Sequence, residues 1–122
     1  MAKRIGKYKI GSKESALSLA DGGTASGRIS TSGPAASVAF SGGSADGTGT
    51  ALKDNAGVIT VSTQIASGNT ATVTFSSAWG SAPACTVGGL LNYTYQTTTT
   101  TIVITGTGNT GTGAIYYTCM GV

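Results

Sequence analysis

From Asn55 to Val122 no side chain carries a formal charge, yet apolar residues in that stretch recur at every second position. Gly57-Val-Ile-Thr-Val-Ser-Thr-Gln-Ile65 sets Ile59, Val61 and Ile65 on one side. Ala71-Thr-Val-Thr-Phe75 sets Ala71, Val73 and Phe75 inward and Thr72 and Thr74 outward. A period of two marks a half-buried strand, because successive side chains point to opposite faces of a sheet. Ala36–Phe40, Ala84–Val87, Leu90–Tyr95, Thr100–Thr105 and Ala114–Cys119 read as further strands. Ser67-Gly-Asn-Thr70 reads as a hairpin-like turn, and Gly106–Gly113 as a hairpin loop.

These runs lie too close together for helical crossovers. They predict an all-β fold, an antiparallel sandwich or a barrel-like domain, preceded by an extended N-terminal arm. Composition agrees. Gly contributes 20 of the 122 residues, Thr and Ser are abundant, and charged residues make up 9%. Disordered chains combine low hydrophobicity with high net charge, whereas here 39% of residues are hydrophobic and patterned.

The organisation follows from where the charge sits. Lys3, Arg4, Lys7, Lys9 and Lys13 crowd the start, so residues 1–27 form a basic segment and an attachment arm. Within it, Ala16-Leu17-Ser18-Leu19-Ala20 alternates like a strand, with a helix from Ser12 to Ala20 as the alternative. Residues 28–122 form a Gly/Thr-rich β-domain with its core in 57–122. Residues 28–54 are expected to be loop-rich, and Ser41–Gly49 too glycine-rich to be more than a mobile or turn-dense connection. The basic start has no apolar stretch behind it, which predicts a chain kept without export.

The chemical inventory is short. There is no His, which removes the usual general base and the commonest metal ligand. The four carboxylates, Glu14, Asp21, Asp46 and Asp54, stand at separate loop-like places, and glycosidase chemistry would need two of them together. Gly106–Gly113 lacks the Lys-Ser/Thr ending of a phosphate loop. Cys85 and Cys119 are too few for a zinc site. They read as a disulfide or as a buried reduced pair, and absence of export favours the reduced form. No cofactor, metal or catalytic residue is expected.

Three readings fit the basic start, in which Tyr8 stands between Lys7 and Lys9. Docking on an acidic protein surface is favoured, ahead of a solvated edge strand and of contact with a phosphate backbone. Trp79 reads as a core anchor and, second, as an exposed binding ring. Tyr93, Tyr95, Tyr116 and Tyr117 are expected to divide between core and surface.

The run Thr70-Ala-Thr-Val-Thr-Phe-Ser-Ser-Ala-Trp-Gly-Ser-Ala-Pro-Ala-Cys-Thr-Val87, the Thr-rich strand over 97–105 and the ending Ile115-Tyr-Tyr-Thr-Cys-Met-Gly-Val122 resemble the C-terminal β-domains of bacteriophage fibre and virion-surface proteins. Leu17-Ser-Leu-Ala-Asp-Gly-Gly-Thr24 resembles leader segments of phage structural proteins. The resemblance implies a virion component, commonly a homotrimer, projecting from the particle. Tail fibres carry long shafts and this sequence shows none, so a capsid decoration (cement) protein or a short head fibre is the nearer analogue.

The expectation is therefore a non-enzymatic structural protein at the virion surface, made in the host cytoplasm. Its arm would dock on the major capsid protein or another virion protein through Lys3, Arg4, Lys7, Tyr8, Lys9 and Lys13. The alternative is a tail-fibre or receptor-binding tip that recognises a host surface glycan. Membrane association is not expected, and nucleic acid is disfavoured.

Overall fold

β-Branched residues alternating with hydroxyl residues form strands because both suit a pleated surface that is buried on one side. A computed structural model, which describes residues 35–43 and 45–122, contains eight such strands: β1 (Ser37–Ser41), β2 (Asp46–Thr50), β3 (Ala56–Thr63), β4 (Thr70–Thr74), β5 (Ala84–Gly89), β6 (Tyr93–Thr97), β7 (Thr101–Gly106) and β8 (Gly113–Met120). They form two four-stranded sheets in the orders β1-β4-β7-β6 and β2-β3-β8-β5, and every pairing is antiparallel. The sheets do not close into a barrel, so the sandwich is the correct one of the two expected architectures.

The core is the shared inner face of the two sheets. Ile102, Ile104, Ala71 and Val73 from the first meet Ile59, Val61, Ile115 and Tyr117 from the second, all essentially inaccessible to water. Burying a side chain of this size stabilises by about 1.5–3 kcal/mol relative to exposure. The predicted inward set Ile59, Val61, Ile65, Ala71, Val73 and Phe75 is buried throughout.

Two connections differ from the sequence expectation. Residues 67–69 and 107–112 do not close hairpins: β3 and β4 lie in different sheets, as do β7 and β8. A sequence turn gives local reversal but not the sheet that the next strand joins. Here the two turns lace together. Gly68 N–H donates to Gly106 O at 2.9 Å, and Gly106 N–H to Asn69 O at 2.9 Å. The only local hairpins among the described residues are β2–β3 and β6–β7.

The third difference is β2. The glycine-rich segment expected to be a mobile connection is an ordered edge strand. Gly47 and Gly49 face inward, opposite Val61 and Ile59. The ring of Phe40 and the side chains of Leu52 and Val38 lie directly over them and occupy the space where side chains would stand. The glycines admit neighbours into the core. Leu90–Tyr95 is also displaced, because β6 starts only at Tyr93, after Asn92 in the left-handed region (φ 58°).

Candidate functional site

Among the described residues no three His, Cys, Asp or Glu side chains come together, and what the sandwich offers is its surface. Registers fix what each outer face presents. On the first sheet, one row across the strands reads Ser37, Thr74, Thr101, the next Ala39, Thr72, Val103, Gln96, and the third Ser41, Thr70, Thr105, Thr94. Hydroxyls dominate that face and no charge interrupts it. On the second sheet, Thr50, Val58, Tyr116 and Gly88 form one row, with Thr118 and Met120 further along β8. Tyr116 is 54% exposed and Met120 75%. The space above Gly88 is open, so the Tyr116 ring stands unroofed on that side.

Edges matter as much as faces. Thr98 N–H donates to Thr101 O and Thr107 N–H to Asn92 O, both at 2.8 Å. Backbone groups alternate sides along an antiparallel strand, so Asn92, Thr94, Gln96 and Thr98 bond toward β7. Tyr93, Tyr95 and Thr97 therefore turn their N–H and C=O groups to the other side, where no strand of the described residues pairs with β6. Tyr95 is 42% exposed there, and Leu91, 74% exposed, lies just before the strand. The Thr98 hydroxyl closes the adjoining turn by accepting from the N–H groups of Thr100 and Thr101 at 3.2 and 3.0 Å.

The formally charged side chains from residue 35 onward are Asp46, Lys53 and Asp54. Asp54 accepts from Ser76 N–H at 2.6 Å, from Ser77 N–H at 3.2 Å and from the Ser76 hydroxyl at 2.8 Å, which ties the segment after β4 to the β2–β3 link. Asp46 accepts from Gly47 N–H at 2.8 Å. Asp46 pairs with Thr63 at one end of β3, whereas Asp54 precedes Ala56 at the other. At about 3.3 Å per residue, the length of β3 separates them by on the order of 20 Å. That is too far for a carboxylate pair flanking one glycosidic bond.

Cys85 and Cys119 form a disulfide, which corrects the expectation of a reduced pair. They are register partners on β5 and β8. Cys119 N–H donates to Asn55 O on the other side, so the two cysteines occupy a non-hydrogen-bonded pair, where antiparallel strands bring side chains closest. Their Cα atoms are 4.0 Å apart.

Trp79 is packed at one end of the sandwich, edge-on to Phe75 with ring centroids 6.0 Å apart. Its Nε1 is buried with no partner among the described residues. Tyr117, the most buried ring, donates its hydroxyl to Lys53 O at 2.5 Å. Burial, opposed by that bond and reinforced by nearby Asp54, pushes its phenol up to about 12. Burial first, and then the neighbouring Tyr95, raises the phenol of Tyr93.

The arm residues Lys3, Arg4, Lys7, Tyr8, Lys9 and Lys13 lie outside the described residues, as does the boundary at residue 27. The edge geometry of β6 and the placement of Tyr116 and Met120 on one face were missed from the sequence. Alternation shows that a strand has two faces, but not whether a neighbouring strand covers its edge. No known protein family, curated protein or solved structure matches this chain.

Proposed function

We propose that this protein is a structural, non-enzymatic component of a bacteriophage particle, a capsid decoration protein or short head fibre. Its basic segment 1–27 docks on the major capsid protein or another virion protein, and its β-sandwich is displayed as a homo-oligomer. One observation carries the reading: the outer face of the β1-β4-β7-β6 sheet and the β6 edge carry no charge, Asp46 on β2 is the one charged strand residue among those described, and Tyr95, Tyr116 and Met120 stand exposed. A monomer ordinarily guards such surfaces with charged residues, Lys above all. A surface without that protection is suited to being covered, and contact area rather than chemistry is what it offers. The phage context rests on the resemblance of the 70–87, 97–105 and 115–122 segments to virion-surface β-domains.

Particles prepared with and without the protein, compared by low-resolution imaging and by thermal disruption, test this. The expected result is added surface density and a more stable shell, since a ligand that prefers the assembled state stabilises it by mass action. Failure of the purified protein to bind particles lacking it would refute the reading.

The unroofed Tyr116 ring beside Gly88 favours a second reading, a receptor-binding tip on which a sugar ring stacks. Labelled protein located at the tail rather than the head, together with glycan binding lost in Tyr116→Ala, would select it.

A further inference from the structure

Among the described residues the sandwich has four edge strands, and three of them carry a feature that hinders the addition of another strand. β2 carries Asp46, a register irregularity at Asp46/Gly47 and two glycines. β1 is tied at its start, where Ala36 N–H donates to Leu52 O at 3.2 Å. β5 ends in Gly88-Gly89, with Gly89 at φ 114°, a conformation that takes its backbone off the strand path. Bulges, charges and irregular backbone are the usual means of preventing strand addition. β6, Tyr93-Thr-Tyr-Gln-Thr97, has none of them. It is a regular strand of β-favouring residues without charge, proline or glycine.

From this we infer that β6 is a self-association edge that pairs antiparallel with β6 of a second copy about a twofold axis at Tyr95. The three residues whose backbone groups face outward, Tyr93, Tyr95 and Thr97, are symmetric about Tyr95. In an antiparallel twin, Tyr93 of one copy stands opposite Thr97 of the other, and Tyr95 opposite Tyr95. All three positions become hydrogen-bonded pairs, each exchanging two bonds. The same backbone pattern read in either direction is what an isologous interface requires. The cross-strand partners are aromatic with β-branched and aromatic with aromatic, the combinations that favour pairing. No charge on β6 or β7 opposes a twin, and none would select an acidic or basic partner instead. Tyr95 shares a face with Ile104, its register partner, but is 42% exposed, and among the described residues no strand lies beyond it. A second β6 supplies that strand. Leu91 adds exposed apolar surface at the end of the same edge.

The inference deepens the proposed function, whose oligomer it specifies, and replaces the threefold assembly that the resemblance implies with a twofold one. A five-residue strand pair is small beside standard interfaces, so the dimer forms reversibly as concentration rises. Light scattering on the full chain across the micromolar to millimolar range should give a mass that doubles. Tyr95→Lys and Tyr95→Glu should each stay single, because the substitution meets its own like charge across the axis. Mixed one to one, they should regain the doubled mass. Tyr116→Lys, on the outer face of the other sheet, should dimerise as the unmodified chain does. Hydrogen exchange on the unmodified protein gives a readout independent of any variant. The amides of Tyr93, Tyr95 and Thr97 should gain protection with concentration, while those of other exposed strand positions do not.

A single-copy mass throughout, a threefold mass, or dimers formed by Tyr95→Lys alone would overturn the inference. So would doubling of the mass without protection of those three amides. Loss of association in Tyr116→Lys instead would remove the β6 edge but leave the assembly reading standing. Failure to bind particles would strike the proposed function itself.

Discussion

Thr110 is the one buried polar side chain among the described residues, and its hydroxyl serves two connections at once. It accepts from Ile65 N–H at 2.9 Å, after β3, and donates to Gly111 O at 3.0 Å, before β8. Thr110→Val keeps the shape and removes the acceptor, leaving a buried N–H unpaired, which costs about 1–3 kcal/mol. Urea denaturation should show that loss with little change in the slope. Tyr117 makes a pH prediction. Its folded phenol titrates near 12, above the ordinary value of 10.0. Its contribution is therefore fully present below pH 10 and is lost as pH rises toward 12. Thermal unfolding from pH 8 to 12 should show a steep fall above pH 10, and Tyr117→Phe should flatten it. None of these roles was legible in the sequence. Thr110 looked like any hydroxyl in a glycine-rich loop, because the donor it serves is 45 residues away.

At the scale of the element, the disulfide fastens an edge strand to a central one. Among the described residues β5 pairs with β8 alone, and the Cys85–Cys119 bond closes a loop with a sequence separation of 34 that contains β6 and β7. Constraining the unfolded chain in this way contributes about 2–4 kcal/mol. Reduction should lower the melting temperature measured by circular dichroism. A Cys85→Ala, Cys119→Ala double variant should melt at the lower temperature with or without reductant. The strands themselves were largely legible, since alternation placed β3, β4, β7 and β8 to within a residue or two. β2 was not, because its inward glycines carry no hydrophobic signal. The apolar groups that fill their place belong to Phe40, Val38 and Leu52.

For the whole molecule, the governing property is the asymmetry between a basic start and a stretch from Asn55 to Val122 that carries no charged side chain. If residues 1–13 hold the docking charge, their deletion should abolish binding to particles while the sandwich keeps its fold and disulfide. The rate of docking of the intact chain should fall as ionic strength rises, because exposed charges are screened beyond about 10 Å at 0.1 M salt. Binding kinetics on immobilised particles at several salt concentrations would measure both effects. Docking that survives the deletion would count against the arm.

What the sequence determined by itself was the fold class and the inward-facing residues, because a period of two is a local property of the chain. It also carried the absence of charge that makes the surface suited to contact. Only the tertiary structure decided that 67–69 and 107–112 cross between sheets, that Cys85 meets Cys119, and that β6 is an edge strand among the described residues. Each of these depends on which distant segment becomes a strand's neighbour, and that choice is made by packing the two inner faces together.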